Sequence, residues 1–329
     1  MEALKRVWAV FGMMCGKHLA AAMRTFLPHP EFLAELELEE SVREKLQEIS
    51  PATIDRLLAA ERAALSPTGI AHTKPAHGAI LQRVPVRTFA EQPREPGYFQ
   101  VDLVGHDGGE AGGDHCYTLT STDPATGWSE PRAVRNKAGR WTTEALEWIE
   151  AHSPIPVQGW HSDNGTEFLN AHMERHCEAG GFEFTRSRFY KKNDNCYAEQ
   201  KNDAVVRRWV GYLRYEGEQH CALLNELYDT LRVLVNFFYP QRRLIEKQRI
   251  GSKVRKRYDT PKTPYQRVMA CEVVDEQRKA ALRAQMAELN PLTLQRQLTE
   301  CSRRLLNAVR RNSCSTRGNC AADGFLRGL

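Results

Sequence analysis

Three acidic residues lie in sequence contexts that could bring them together. Asp102 sits in Gly97-Tyr98-Phe99-Gln100-Val101-Asp102-Leu103-Val104, and Asp163 in His161-Ser162-Asp163-Asn164-Gly165-Thr166-Glu167-Phe168. Glu199 follows in Cys196-Tyr197-Ala198-Glu199-Gln200-Lys201, with 35 residues between it and Asp163. Converging carboxylates repel one another unless cations lie between them. Hard divalent ions such as Mg²⁺ take oxygen ligands of this kind. Two such ions roughly 3.5–4 Å apart can activate a nucleophile and stabilise a departing oxyanion. Applied to a phosphodiester, that is the chemistry of cutting and joining DNA strands.

Spacing alone carries little weight, because Asp and Glu fill 41 of 329 positions and an acid at a chosen offset is common. The flanking residues add the weight. Phe99, Val101 and Leu103 alternate with Tyr98 on the other face, as in a half-buried strand leading to Asp102. Pro156-Val157-Gln158-Gly159-Trp160 reads as a second strand, closed by Asp163 and the turn dipeptide Asn164-Gly165. Glu199 opens a helix after the breaker Asn193-Asp194-Asn195. Two strand ends and a helix start are therefore expected to converge, with the three carboxylates within metal-bridging reach.

With these motifs the chain resembles the integrase-type (DDE) catalytic core shared by retroviral integrases and bacterial insertion-sequence transposases. The resemblance covers most of residues 1 to about 308, and Asp102, Asp163 and Glu199 match the family's metal-binding triad. It implies two Mg²⁺ (or Mn²⁺) ions, the first Asp bridging both while the second Asp and the Glu each hold one. It implies a polynucleotidyl transferase acting as a transposase: water attacks at an element's end, then the freed 3′-hydroxyl attacks target DNA. The partners implied are element ends, target DNA and further copies of the chain on DNA, in the cytoplasm at the nucleoid and without a membrane. Two alternatives stay open: an RNase H-fold nuclease that cuts without joining, and a catalytically inactive DNA-binding remnant. The expected fold is α/β, an RNase H-like core made of a mixed five-stranded sheet flanked by helices. An all-α region is expected before that core and a basic extension after it.

Composition is compatible with these readings. Hydrophobic content of 41%, charged content of 26% and a net charge of +5 suit a globular protein that tolerates a polyanionic partner. None of the nine cysteines forms a C-x-x-C pair, which argues against a structural zinc module and for reduced thiols. Lys5-Arg6 and the apolar run Val7 to Gly16 imitate a leader peptide, but Lys17 and His18 interrupt it and an amphipathic helix accounts for it as well.

Residues 1–65 read as helical. Val42, Leu46 and Ile49 mark one helix; Ser50-Pro51 begins another that runs through Ile54, Leu57, Leu58 and Leu65. This pair fits either a DNA-binding helix-turn-helix or a plain helical hairpin. Residues 66–96 read as a linker, in which Ile80 to Arg87 forms an extended arm that tracks DNA or packs on the core. Residues 97–240 form the core, its glycine-rich stretch Asp107 to Gly113 read as a turn. Residues 241–329 form a basic region with an irregular tail from about 309.

DNA contacts are expected from Arg186, Arg188, Tyr190, Lys191 and Lys192, where basic and aromatic side chains interleave with Phe189. Lys201, Arg207 and Arg208 continue the positive charge. Gln241 to Arg257 carries eight Lys or Arg against one acid, Glu246, so Arg255, Lys256 and Arg257 are expected to grip phosphates rather than form a solvated connector. Asn195 either orients Glu199 or caps its helix, capping being the simpler role. His161 and Glu167 receive no metal role. Asp203, one turn past Glu199, stands where the family resemblance leads one to expect an aromatic residue; it either perturbs the site or faces solvent. Bacterial relatives carry a further helix-turn-helix region ahead of the point where this chain begins, an expectation that goes with a shortened mobile-element copy.

Overall fold

The strand Tyr98–Gly105 (β1) is covered on both faces, buried throughout except at half-buried Tyr98, Asp102 and Gly105. In a strand successive side chains point to opposite faces, so Phe99, Val101 and Leu103 enter the apolar core while Gln100 and Asp102 face the other way. The structure, a computed structural model, describes residues 1–29, 36, 38–65, 83–88, 95–110, 112–189, 192–250 and 253–316. Among the described residues, five helices precede β1: α1 (Glu2–Val10), α2 (Gly16–Phe26), α3 (Glu40–Glu48), α4 (Pro51–Leu57) and α5 (Ala59–Leu65). After β1 come β2 (Tyr117–Thr122), β3 (Ser129–Val134), α6 (Gly139–His152), β4 (Gly159–Ser162), α7 (Ala171–Gly180) and β5 (Glu183–Arg186). A 3₁₀ turn at Lys192–Asn195 leads into α8 (Cys196–Lys201), followed by a π-helical turn at Asn202–Arg207 and a last turn at Arg208–Val210. The chain ends with α9 (Gly217–Phe238), β6 (Leu244–Ile250), β7 (Lys253–Tyr258), α10 (Pro264–Met269), α11 (Glu276–Glu288) and α12 (Pro291–Thr316).

β1 to β5 form a mixed five-stranded sheet in the order β3-β2-β1-β4-β5. The first three strands are antiparallel neighbours; β4 runs parallel to β1 and β5 parallel to β4. Helices flank this sheet, as expected from the sequence. Asp102 differs from its expected place: it lies within β1 opposite Thr120, not at the strand's end. Asp163 does follow directly on β4. The strand before Asp163 begins at Gly159, three residues later than the apolar run Pro156 to Trp160 suggested, because proline has no N–H for a ladder. Trp148, expected inward, is only half buried and stacks between Arg132 (4.2 Å from the ring centroid) and His152 (4.0 Å between ring centroids).

Both sheet edges are covered, which matters because an open edge presents unpaired backbone groups. At β3, Pro131 has no amide to leave unpaired, and α9 supplies two asparagines for its neighbours. Asn236 accepts from Ser129 N–H (2.9 Å) and donates to its carbonyl (2.9 Å). Asn225 does the same for Ala133, at 2.8 and 3.1 Å. At β5, Arg186 N–H donates to the Pro85 carbonyl and Arg87 N–H to the Arg186 carbonyl, both 2.9 Å. The described part of the extended arm, residues 83–88, therefore packs on the core, with Arg87 paired to Glu183 at 2.7 Å.

The N-terminal helices share one apolar cluster with the sheet domain. Phe26 packs on Phe238 with centroids 5.3 Å apart, and Arg208 donates to the Gly12 carbonyl at 2.8 Å. Gly12 has φ of 62°, and a β-carbon there would meet the Tyr239 ring at 2.5–2.8 Å, so the close approach requires glycine. Ser50 caps α4 by accepting from Thr53 N–H. The helix expected to run on to Leu65 breaks at Leu58, whose side chain is fully buried. Asp55 accepts from Gly16 N–H (2.7 Å) and from Arg62 (2.9 Å). Polar groups of a supposed recognition helix are thus engaged within the protein. Beyond residue 241, α12 packs along α9 through Leu298, Leu305 and Leu306 and continues to Thr316, overlapping the stretch read as irregular. Residues 317–329 lie outside the described residues.

The asparagine clamps yield a stability test. Asn236→Ala would leave two buried backbone groups of Ser129 unpaired, each worth about 1–3 kcal/mol. Urea denaturation should show that loss, and a comparable one for Asn225→Ala, while Asn136→Ala, which removes only exposed hydrogen bonds to Asp114 and Ala138, should cost less.

Candidate acidic active site

Two amide side chains hold α8 over β1. Gln100, fully buried, donates to the Asp194 carbonyl (2.9 Å) and accepts from Tyr197 N–H (3.0 Å). Asn195, also buried, donates to the Val101 carbonyl at 3.0 Å and makes no side-chain cap to α8. The simpler capping role is therefore replaced by one that seats the helix start against the strand carrying Asp102. Asp194 completes the seat, accepting from Arg188 (2.8 and 2.9 Å) and Thr88 (3.1 Å).

Within this frame the acids share one electrostatic environment. Burial, then the charge of Asp163 and more weakly that of Glu199, pushes the Asp102 carboxyl up to about 7. Asn202 opposes this by donating to Asp102 Oδ2 at 2.5 Å, as does Leu103 N–H to Oδ1 at 2.8 Å. Burial also raises Asp163, whose Oδ1 accepts from Gly165 N–H at 2.9 Å. Glu199 is exposed on α8. All three offer hard oxygen donors, the set that suits Mg²⁺ or Mn²⁺. Among the described residues, however, no group of three or more His, Cys, Asp or Glu gathers closely enough to hold a metal ion. Asp102, Asp163 and Glu199 therefore do not come within the metal-bridging reach expected from the sequence, as the mutual repulsion of carboxylates without cations between them favours.

Asn202 escaped the sequence reading, although it stands three residues after Glu199, a same-face spacing on a helix. The π-helical turn that begins there sets its direction; such turns recur at functional sites. The same turn leaves Asp203 exposed, 4.0 Å from Arg208, so this extra acid faces solvent. His161 lies buried between the hydroxyls of Thr185 (2.9 Å) and Ser187 (3.1 Å), and burial lowers it to about 4, so it is neutral. Glu167 is raised by burial, with the charge of Asp163 adding to the effect.

Several expected DNA contacts have partners inside the molecule. Arg186 is buried, donating to the Val84 carbonyl (3.1 Å) and Asn164 Oδ1 (3.0 Å), which ties β5 to the turn after Asp163. Arg188 is bound to Asp194. Arg207 is buried and donates to the carbonyls of Gly105 (2.8 Å) and Gly211 (3.3 Å), while Arg208 holds Gly12. These four look inward because unpaired carbonyls and a buried carboxylate lie within their reach, something charge counting cannot reveal. Burial pulls Lys201 down to about 7, leaving its amine only partly charged at neutral pH. Arg255 and Lys256 are exposed on β7, and Arg257 is exposed but paired with Glu246 at 3.0 Å. Tyr190, Lys191 and the side chain of Lys192 lie outside the described residues. Arg214 was not singled out by sequence; it fans across the carbonyls of Asp107, Glu110, Gly112 and Asp114 and pins the glycine-rich turn.

Fold and site together define an α/β protein with a mixed five-stranded sheet, in whose strand β1 the Asp102 carboxyl lies within the electrostatic reach of Asp163 and Glu199. The chain is 40% identical over 267 residues to the uncharacterized protein y4rM of Sinorhizobium fredii (strain NBRC 101917 / NGR234), covering 81% of this chain and 76% of that protein. It belongs to the same family as that protein. No family model matches the sequence. Among solved structures, the catalytic core domain of BIV integrase is similar with a TM-score of 0.35 and 16% identity, over 52% of this chain and 93% of that one.

The raised Asp102 carboxyl predicts a pH signature. A folded-state value near 7 against an ordinary value of 3.8 means the fold favours the neutral acid. Its contribution to stability is complete below about pH 4 and is lost as pH rises through 7. In buffer free of divalent cations, the melting temperature of wild type relative to Asp102→Asn should fall across that window. A constant difference between the two would contradict the assignment.

Proposed function

We propose that this chain is a DDE-type polynucleotidyl transferase that cuts DNA at the ends of a mobile element and joins them to target DNA. The observation that carries the reading is the Asp102 carboxyl on β1, held by Asn202 and Leu103 N–H and within the electrostatic reach of Asp163 and, more weakly, of Glu199. Strands and a helix from distant parts of the chain supply these acids, and chance surface acids would not share a field. Two divalent cations, Mg²⁺ or Mn²⁺, would activate the attacking oxygen and stabilise the leaving one. Asp102, Asp163 and Glu199 would hold them, which requires the three acids to draw closer together around the cations than they stand in this structure. Asn202 would orient the Asp102 carboxyl group for that role by donating to its Oδ2. Gly165 N–H holds one oxygen of Asp163 and leaves the other for a ligand role. Gln100 and Asn195 keep α8 seated, and with it the approach of Glu199.

DNA in this reading crosses the acidic end of the sheet. Exposed cations beyond the core, Lys256 among them, bear on its phosphates. Several copies of the chain would assemble on the element ends.

The test uses the purified protein and a labelled duplex carrying the DNA on either side of the gene, with any inverted repeats it contains. Mg²⁺-dependent nicking at the repeat ends is expected. Asp163→Asn should abolish it, by at least about 10³-fold, with DNA affinity unchanged or slightly higher. Near wild-type cutting by Asp163→Asn would remove the mechanism. Products joined to a second DNA indicate a transposase; nicked products alone would make the chain an RNase H-fold nuclease.

A further inference from the structure

The basic stretch after the core forms a two-stranded antiparallel ribbon, β6 with β7, exposed at every described position except the half-buried Leu244. Its register sorts side chains that are contiguous in sequence onto two faces. Directly opposed residues share a face, and successive pairs alternate. One face carries Lys247 opposite Lys256 and Arg249 opposite Val254. The other carries Glu246 opposite Arg257, Gln248 opposite Arg255 and Ile250 opposite Lys253. Arg255, Lys256 and Arg257, expected to act as one unit, are therefore divided. Arg257 is already engaged by Glu246 at 3.0 Å.

Both faces hold three cations, but only the second holds an acid. Like charges directly opposed across strands are destabilising, and a two-stranded ribbon is marginal on its own. Lys247 against Lys256 makes no sense as internal stabilisation; it does as half of an interaction with a polyanion. A second copy of this face would bring cations against cations, so self-association is disfavoured. A two-stranded ribbon also has the width that the DNA major groove admits.

We propose that the Lys247, Arg249 and Lys256 face of this ribbon binds the phosphates of double-stranded DNA, with the Glu246 face turned away. This rests on the reading that the chain acts on DNA and adds where and how it holds the duplex.

Two charge-matched variants of the full chain test it: Lys247→Gln/Arg249→Gln/Lys256→Gln and Lys253→Gln/Arg255→Gln/Arg257→Gln. Each removes three positive charges, and since the ribbon contributes nothing to the buried core, melting temperatures should match wild type. Binding to a labelled 30-base-pair duplex of arbitrary sequence is measured across salt concentrations. The first variant should flatten the slope of log K against log salt by about 2.7, three contacts at ~0.9 each, and the second by less than half as much. Equal losses would mean undirected attraction and overturn the proposal, as would a larger loss from the second variant or no loss from either. Binding to the single strand that is equally sensitive to the first variant would overturn the assignment to duplex. Cutting is read separately. Metal-dependent nicking with symmetric faces removes only the ribbon proposal, whereas face asymmetry in a protein that never cuts removes only the catalytic one.

Discussion

Keeping the Asp102 carboxyl within the electrostatic reach of Asp163 and Glu199 in a half-buried site is the constraint on which the rest of this molecule turns. Left free, such groups would separate or take up protons; here Asp102 does take on a raised proton affinity near neutrality. Something must resist the separation. The resistance comes from neutral amides: Gln100 and Asn195 stitch α8 to β1 through backbone groups, and Asn202 grips the Asp102 carboxylate. Amides suit this task because they satisfy buried donors and acceptors without adding charge to a site already crowded with it.

The same economy of means protects the sheet. Asparagines of α9 close one edge and the segment at 83–88 closes the other. Cations near the site serve this structural end too. Arg186 fixes the turn after Asp163, Arg188 neutralises buried Asp194, and Arg207 ties the end of β1 to the turn after the π-helix. Cations left exposed beyond the core gather on the β6–β7 ribbon, separated from the acids by the length of α9 in the chain. Positive charge thus divides into a buried part that builds the site and an exposed part placed to meet a polyanion.

Much of this was legible before any coordinates. The alternation ending at Asp102, the turn after Asp163 and the helix bearing Glu199 are local patterns, and local patterns survive in a single sequence. So do the Ser50 cap and the apolar spacing of α9. Boundaries shifted where a local rule competed with pairing: Pro156 could not enter the ladder, and β1 ran past Asp102 because β2 pairs with it through Gly105.

By itself the sequence determined which residues can carry the chemistry, since residue type and strand or helix period depend only on near neighbours. Tertiary structure alone decided which of them meet. Asn202 reaches Asp102 across 100 residues of chain, and Arg207 reaches Gly105 across 102. Lys256 faces away from Arg255 because the pleat, not the charge, sets direction. Those outcomes depend on distances between chain segments far apart in sequence, and no pattern of neighbouring residues encodes them.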